Sequence, residues 1–399
     1  MPYYIGDVIK DSKNLIARTP EKFEEKGVSV ELNVCVEGIE TDRGKILLAD
    51  GRRLSYDTLV IGTGAKATLP DIPGTTRDGA FTLKNLRDGI NIKEYIKRNR
   101  CRRAVIVGAG FIAMEMSEAL RNLSLETSVV YRGELPVKNW DPVFSEVVLA
   151  ELVNNGVSFI AHNSPVAVEK GSDARLCLVT DKGKIETDII IFALGVRPET
   201  KLARETGLET GESGAIQVDS SQRTSREEIF AVGDCCESYH RVSKKWVNIP
   251  LGDIANKQGR VAGRNIAGYP MIFPGVVGAQ SFKVFGLEVA MTGLDEKTAE
   301  KSGYSPAGII IWGTPVARSM SGGQRLGLKM IADKGSGKLL GAQAVGHSGA
   351  VSRINILSAC LWSGMGLDEI GYMDLAYSPP FGGAWDVIHT VAQVLEKKL

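Results

Sequence analysis

Gly108-Ala109-Gly110-Phe111-Ile112-Ala113 stands directly after the apolar run Ala104-Val105-Ile106-Val107 and directly before a helical pattern, Met114 to Leu123. A G-x-G-x-x-A turn between a strand and a helix suits a dinucleotide. Gly108 permits the tight turn, Gly110 lets a pyrophosphate approach the backbone, and Ala113 lets helix and strand pack closely. The helix N-terminus then offers N–H groups to the phosphates. The competing reading is a glycine-bearing turn in a Rossmann-like domain that binds nothing. The next strand, Thr127 to Val130, ends at Tyr131-Arg132. An NAD-selective site carries an acid there for the ribose 2′-hydroxyl. Here the acid is absent and a guanidinium, able to hold a 2′-phosphate, follows, which points to NADPH over NADH. The plain alternative is a solvated strand-end arginine.

The elements that must position this turn show an internal echo. Asp50-Gly51 and Tyr56-Asp57 lead into Thr58-Leu59-Val60-Ile61-Gly62-Thr63-Gly64, and Asp181-Lys182-Gly183 and Thr187-Asp188 lead into Ile189-Ile190-Ile191-Phe192-Ala193-Leu194-Gly195. Each reads as a hairpin turn, a short polar strand and a buried strand ending on glycine. Two copies imply two dinucleotide-type domains. The second copy opens 84 residues before Ile189, at Val105; the same interval counted back from Thr58 falls before residue 1. The expectation is therefore that the first copy lacks its opening βαβ unit. Ile229 to Asp234 reads as a further buried strand ending in Gly-Asp, and Asp253 to Gly268 as a helix. Glycine and proline around Pro270 to Gly278 mark a boundary. Beyond it, alternation at Ser281–Phe285 and Leu326–Ile331 predicts an antiparallel sheet, with helices over Ala350–Gly364 and Ala384–Lys397. The fold class expected is α/β: two Rossmann-like domains, the first incomplete, and an α+β C-terminal domain. The boundaries are 1–79 and 201–275 for the first domain, 80–200 for the second and 276–399 for the third.

With 399 residues, 43% hydrophobic and 24% charged, the chain can bury sizeable cores, and a net charge of +1 gives no nucleic-acid or membrane-surface footprint. No apolar stretch is long enough to span a bilayer, and no signal-peptide pattern opens the chain. The six cysteines form neither CxxC nor CxxxxC pairs, so no metal site is expected and a reducing cytoplasm suits them.

The set Leu59–Ala65, Ile106–Glu115, Ala193–Pro198 and Phe230–Cys235 resembles the FAD-dependent pyridine nucleotide-disulfide oxidoreductases. Ala255–Gly263, Gly341–Gly346 and Ala376–Phe381 are similar to the branch of coenzyme A disulfide reductases, NADH oxidases and NAD(P)H sulfur reductases. The resemblance implies FAD and NAD(P)H as cofactors and a homodimer. Asp234 would bond the flavin's ribityl chain; Thr63 and Gly64 would lie on the FAD phosphate side and Val36 near the adenine. Ala255, at a helix start, would sit by the isoalloxazine, Glu115 near the nicotinamide, and Gly195 among the cofactor-binding turns. Hydride would pass from nicotinamide to flavin, and electrons onward to a disulfide, polysulfide, sulfur or oxygen acceptor.

The family's reactive cysteine lies in a Cys-Gly-x-Pro-Tyr run, and Met1-Pro2-Tyr3 matches its end, so the cysteine and the first glycine turn are expected to lie upstream of Met1. Tyr377 matches a tyrosine that relatives lend to the partner's site, against the alternative of a buried aromatic before Pro379-Pro380. The second such position falls at Arg318 to Gly322, which holds no tyrosine, and this counts against coenzyme A as substrate. Cys235-Cys236 reads as core packing beside the flavin, and His389 as a packed or surface histidine. The opposing hypothesis is a non-catalytic, dimerising, nucleotide-binding remnant. A ferredoxin-type reductase is disfavoured by Gly341–Gly346 and by the tail motif.

Overall fold

The computed structural model describes residues 1–321 and 323–399. They form two compact units, one of residues 1–10, 67–195 and 277–399, the other of residues 11–66 and 196–276.

The first unit holds a five-stranded parallel sheet in the order Ala80–Thr82, Ile189–Phe192, Arg103–Val107, Glu126–Val130, Val157–Ile160. Ile189 to Phe192 and Ala104 to Val107 are all at most 2% exposed. A strand covered on both faces must be apolar throughout, which is why these runs do not alternate. The helix Leu86–Asn99 leads into this sheet. Its start is set by a capping box between Asn85 and Asp88, and its end by Arg100 in the left-handed region. The helix Phe111–Asn122 begins three residues earlier than the sequence pattern suggested. The second glycine of the turn is itself the N-cap, so the motif's last three residues already belong to the helix.

The same unit carries a five-stranded antiparallel sheet in the order Gln280–Val284, Leu287–Gly293, Leu339–Gly346, Leu326–Asp333, Pro306–Gly313. The helices Ala350–Ser363 and Val387–Glu396 pack on it. One core joins this sheet to the nucleotide-type sheet, with Met114, Phe144, Val148, Phe282 and Val289 in it. Edge-to-face contacts of Trp140 with Phe282 and of Phe144 with Trp312 lie along that seam.

The second unit contains the parallel pair Leu59–Ile61 and Ile229–Ala231, the helix Gly252–Ile266 and the three-stranded antiparallel sheet Val36–Glu40, Lys45–Leu48, Arg53–Ser55. A three-stranded sheet of the same kind, Pro165–Lys170, Leu176–Thr180, Gly183–Thr187, precedes Ile189 in the first unit. The echo read in the sequence is thus a repeat of structure: three antiparallel strands, then a parallel strand ending on glycine.

Candidate functional site

The glycine turn sits where the parallel strand Arg103–Val107 meets the helix Phe111–Asn122. Gly108 is buried with φ +112°, a region L side chains avoid. A Cβ there would meet the Ala193 carbonyl oxygen at 2.4 Å. Gly110 differs in kind. Its φ of −82° is open to any residue, and a Cβ would meet nothing within 4 Å. The Gly110 side of the turn therefore faces open space. The helix has no side-chain cap, and its first internal bond runs from Met114 N to Gly110 O. The N–H groups of Phe111, Ile112 and Ala113 remain for a ligand. Ala113 is fully buried against the sheet. The turn thus passes the test for a dinucleotide pyrophosphate: a cradle without side chains, backed by helix N–H groups.

Glu115, one turn into that helix, is half-buried, and burial raises its carboxyl above the usual range, with the nearby chain amino group and the Tyr3 hydroxyl acting against that rise. The short helix Pro2–Ile5 lies against the glycine-turn helix, so the Met1-Pro2-Tyr3 match contributes a hydroxyl at this position. Gly195, φ +90°, closes the neighbouring strand and accepts a hydrogen bond from Thr68 N.

Tyr131 is half-buried against Phe159, and Arg132 beside it is exposed. Among the described residues no hydrogen bond or ion pair engages Arg132. The loop then bends back, and Val137 N donates to Ala109 O in the glycine turn at 2.8 Å. Lys138, exposed and likewise unpaired, follows directly. The sequence reading passed over Lys138. Its signal was a second cation six residues after Arg132 in one short loop.

In the second unit, Thr63 Oγ1 donates to Glu199 O at 2.6 Å and Glu199 N to Gly64 O at 2.9 Å; Gly64 has φ +69° and open space where a Cβ would stand. Asp234 lies in a single turn, Gly233–Cys235, directly after the strand Ile229–Ala231. Gln258, fully buried, holds that turn by accepting from Gly233 N at 2.8 Å and donating to Ser238 Oγ and Glu237 O. Gln258 belongs to the Ala255–Gly263 run, and nothing local in the sequence marks it as the anchor of the Gly233 turn. Ala255 lies in the helix's first turns rather than at its start, because the helix begins at Gly252; a Cβ on Gly233 would stand 3.3 Å from the Ala255 methyl. Val36 opens the strand Val36–Glu40, half-buried. Asp234, Gln258 and Ala255, gathered at the Gly233 turn, could hold the flavin end of FAD.

Tyr377 is 56% exposed, so the buried-aromatic alternative is corrected: the segment before Pro379 runs over the surface. Tyr372, Phe381 and Trp385 are exposed nearby in sequence. Gly322, in the Arg318 to Gly322 segment where a second tyrosine would fall, lies outside the described residues. Cys235 and Cys236 are buried core residues, as read, and burial pushes both thiols up. Burial likewise raises Cys177, and carries Cys101 and Cys360 to about 11. None of these five is poised as a thiolate. His389 is 8% exposed, bonded to Met373 O and Asp386 N, and is therefore packed. No helix among the described residues is long and apolar enough to cross a membrane.

Comparison with known proteins adds the following. The family model "Pyridine nucleotide-disulphide oxidoreductase" matches residues 4–259, and the dimerisation domain of the same name matches residues 279–387. The chain is 34% identical over 397 residues to an NAD(P)H sulfur oxidoreductase (CoA-dependent) of Pyrococcus furiosus, covering 98% of this chain and 89% of that protein. It is 31% identical over 408 residues to an NADH oxidase of Methanocaldococcus jannaschii, covering 100% of this chain and 90% of that one. The solved structure of a NAD-dependent persulfide reductase from A. fulgidus superposes with a TM-score of 0.95 at 34% identity, over 100% of this chain and 75% of that one. These relatives are oxidoreductases, and nothing among them supports a non-catalytic remnant.

Proposed function

The chain belongs to the pyridine nucleotide-disulphide oxidoreductases, and from that membership we propose that it is a flavoprotein passing hydride from NAD(P)H to FAD and electrons on to a disulfide, polysulfide, sulfur or oxygen acceptor. The observation that carries this reading is the side-chain-free turn at Gly108 and Gly110, with the unpaired N–H groups of Phe111 to Ala113 behind it.

The roles follow from placement. Backbone N–H groups of the turn neutralise the pyrophosphate of the nicotinamide nucleotide. Glu115, its carboxyl raised by burial and neighboured by Tyr3, lines the nicotinamide side. Gly195 leaves the far lip of the turn open. Gln258 and Ala255 fix the Gly233 turn, which sets Asp234 to bond the flavin's ribityl hydroxyls, while Thr63, Gly64 and Val36 border the rest of that cofactor. Residues 11–66 and 196–276 serve FAD, rather than the 1–79 and 201–275 expected from the sequence, and residues 67–195 with the short helix Pro2–Ile5 serve the nicotinamide nucleotide. Residues 276–399 join two copies of the chain, with Tyr377 offered to the partner's site. The working form is a cytoplasmic homodimer with a low-molecular-weight acceptor and neither nucleic-acid nor membrane partners. The test is anaerobic: with FAD supplied, NADPH should bleach the flavin absorbance band of the protein. A flavin-bearing protein that NAD(P)H leaves oxidised would overturn the reading.

Preference for NADPH rests on Arg132, supported by Lys138. One charge-assisted contact to a phosphate is worth about 1.5–3 kcal/mol. Arg132→Ala should therefore weaken NADPH about tenfold or more and leave NADH nearly unchanged, measured by calorimetric titration. Equal losses for the two nucleotides would refute the assignment.

A further inference from the structure

We propose that Lys329, a buried lysine of the C-terminal antiparallel sheet, is a positioning residue for the nicotinamide nucleotide, holding the loop 131–141 in place over the glycine turn. The proposal rests on the reading that this turn binds the nucleotide.

Lys329 lies in the strand Leu326–Asp333, whose residues from Leu326 to Ala332 are all buried, and is itself 6% exposed. Its Nζ stands 2.7 Å from Asp141 Oδ2 and also pairs with Glu296. A lysine in such a place must shed its water, and an apolar side chain of similar volume commonly stabilises a core as well or better. Stability alone therefore gives a weak account of this cation. Its main partner supplies a stronger one.

Asp141 ends the loop that leaves the strand Glu126–Val130, and it caps the helix Pro142–Asn154 by accepting from Val143 N at 2.9 Å. Its own N donates to Gln343 Oε1 at 2.7 Å, and Gln343 Nε2 donates to Asn139 O at 3.4 Å. Gln343 is 2% exposed, on the strand next to that of Lys329. The C-terminal sheet thus grips this end of the loop through two side chains. Trp140, between the gripped residues, packs edge-on against Phe282 of the same sheet.

A few residues back, Trp140 N bonds to Val137 O, and Val137 N donates to Ala109 O of the glycine turn at 2.8 Å. Val137 is 3% exposed and has φ +49°, a conformation that a β-branched residue adopts only where its surroundings impose it. The grip on Asp141 and Asn139 is what imposes it. The contact to Ala109 therefore depends on an anchor in the C-terminal sheet. Arg132 and Lys138, the two unpaired cations, ride on the same loop.

The test uses direct binding rather than turnover. Titration calorimetry of the 399-residue protein with NADPH and NADH should show Lys329→Met weakening NADPH roughly fivefold or more, with Lys329→Arg restoring part of the loss. Because Lys329 acts through the loop that bears Arg132, its effect on NADPH should be smaller in an Arg132→Ala background than alone. Gln343→Leu, which keeps the lysine and cuts the second grip, should act in the same direction and decides the matter if Lys329→Met does not fold. Folded variants with unchanged nucleotide dissociation constants and only a lowered melting temperature would overturn the proposal, as would strictly additive losses where Arg132→Ala by itself weakens NADPH. An Arg132→Ala protein with unaltered preference would instead sink the phosphate assignment. In that case, weakening of both nucleotides by Lys329→Met would still uphold the anchor, through the Ala109 contact.

Discussion

Gly110→Ala should weaken NADPH and NADH alike by about a hundredfold while leaving the fold intact. The position has φ −82° and ψ −178°, which alanine adopts freely, and a Cβ would touch no protein atom within 4 Å. Nothing in the folded chain resists the methyl group except a modest loss of N-cap preference, under about 1 kcal/mol. The methyl would occupy the space through which a pyrophosphate reaches the helix N–H groups. Losing two charge-assisted contacts of about 1.5 kcal/mol each corresponds to roughly two powers of ten in affinity. Calorimetric titration and a melting curve on the same sample check both halves. Unchanged nucleotide binding would remove the turn from the site. Gly108→Ala is the informative contrast, because its Cβ strikes the Ala193 carbonyl and its φ of +112° is strained for alanine, so stability and binding should fall together.

The largest loss of stability is expected at Gly341. The strands Leu287–Gly293 and Leu339–Gly346 run antiparallel there, with Gly293 opposite Gly341, and Leu294 N bonds to Leu340 O at 2.9 Å. A Cβ on Gly341 would stand 2.0 Å from Leu294 O and 2.7 Å from Leu294 N. Both are backbone atoms in a buried ladder, so no side chain can swing aside. Gly341→Ala should cost about 3 kcal/mol or more and lower the melting temperature of the C-terminal part. Gly263→Ala, inside the helix Gly252–Ile266 with nothing within 4 Å, should be neutral or slightly stabilising. Equal melting temperatures for the two variants would refute the packing argument. The clash also bears on binding, since Gln343 lies two residues along the same strand and its amide holds Asn139 and Asp141.

Much of the architecture was legible in the chain because its signals are local. A buried parallel strand announces itself as an unbroken apolar run, as at Ile189–Phe192. The glycine turn is defined by residues within six positions of one another, and the hairpins at Asp50-Gly51 and Asp181-Lys182-Gly183 by two or three. Comparing two such stretches showed a repeated hairpin turn, polar strand and buried strand; that each copy carries three antiparallel strands came from the structure. Of the C-terminal sheet, the sequence showed two strands, Ser281–Phe285 and Leu326–Ile331, and the two helices; the alternation read at Leu326–Ile331 is absent from the structure, where that strand is buried along both faces.

What tertiary structure alone decided is which side chains share an environment. Lys329 and Asp141 are 188 residues apart, and nothing near either one marks the pair. Lys329 reads locally as an outward-facing strand lysine, and Gln258 beneath the Gly233 turn as a polar helix residue. Tyr3 becomes relevant only because the short helix Pro2–Ile5 folds onto the face that carries Glu115. Gly341 shows no φ outside the ordinary range; its need for glycine comes wholly from the approach of Leu294. Backbone preference and hydrophobic period act between neighbours in the chain and can be read from it. Desolvation, ion pairing and steric exclusion act between neighbours in space, and those are set only once the sheets have packed.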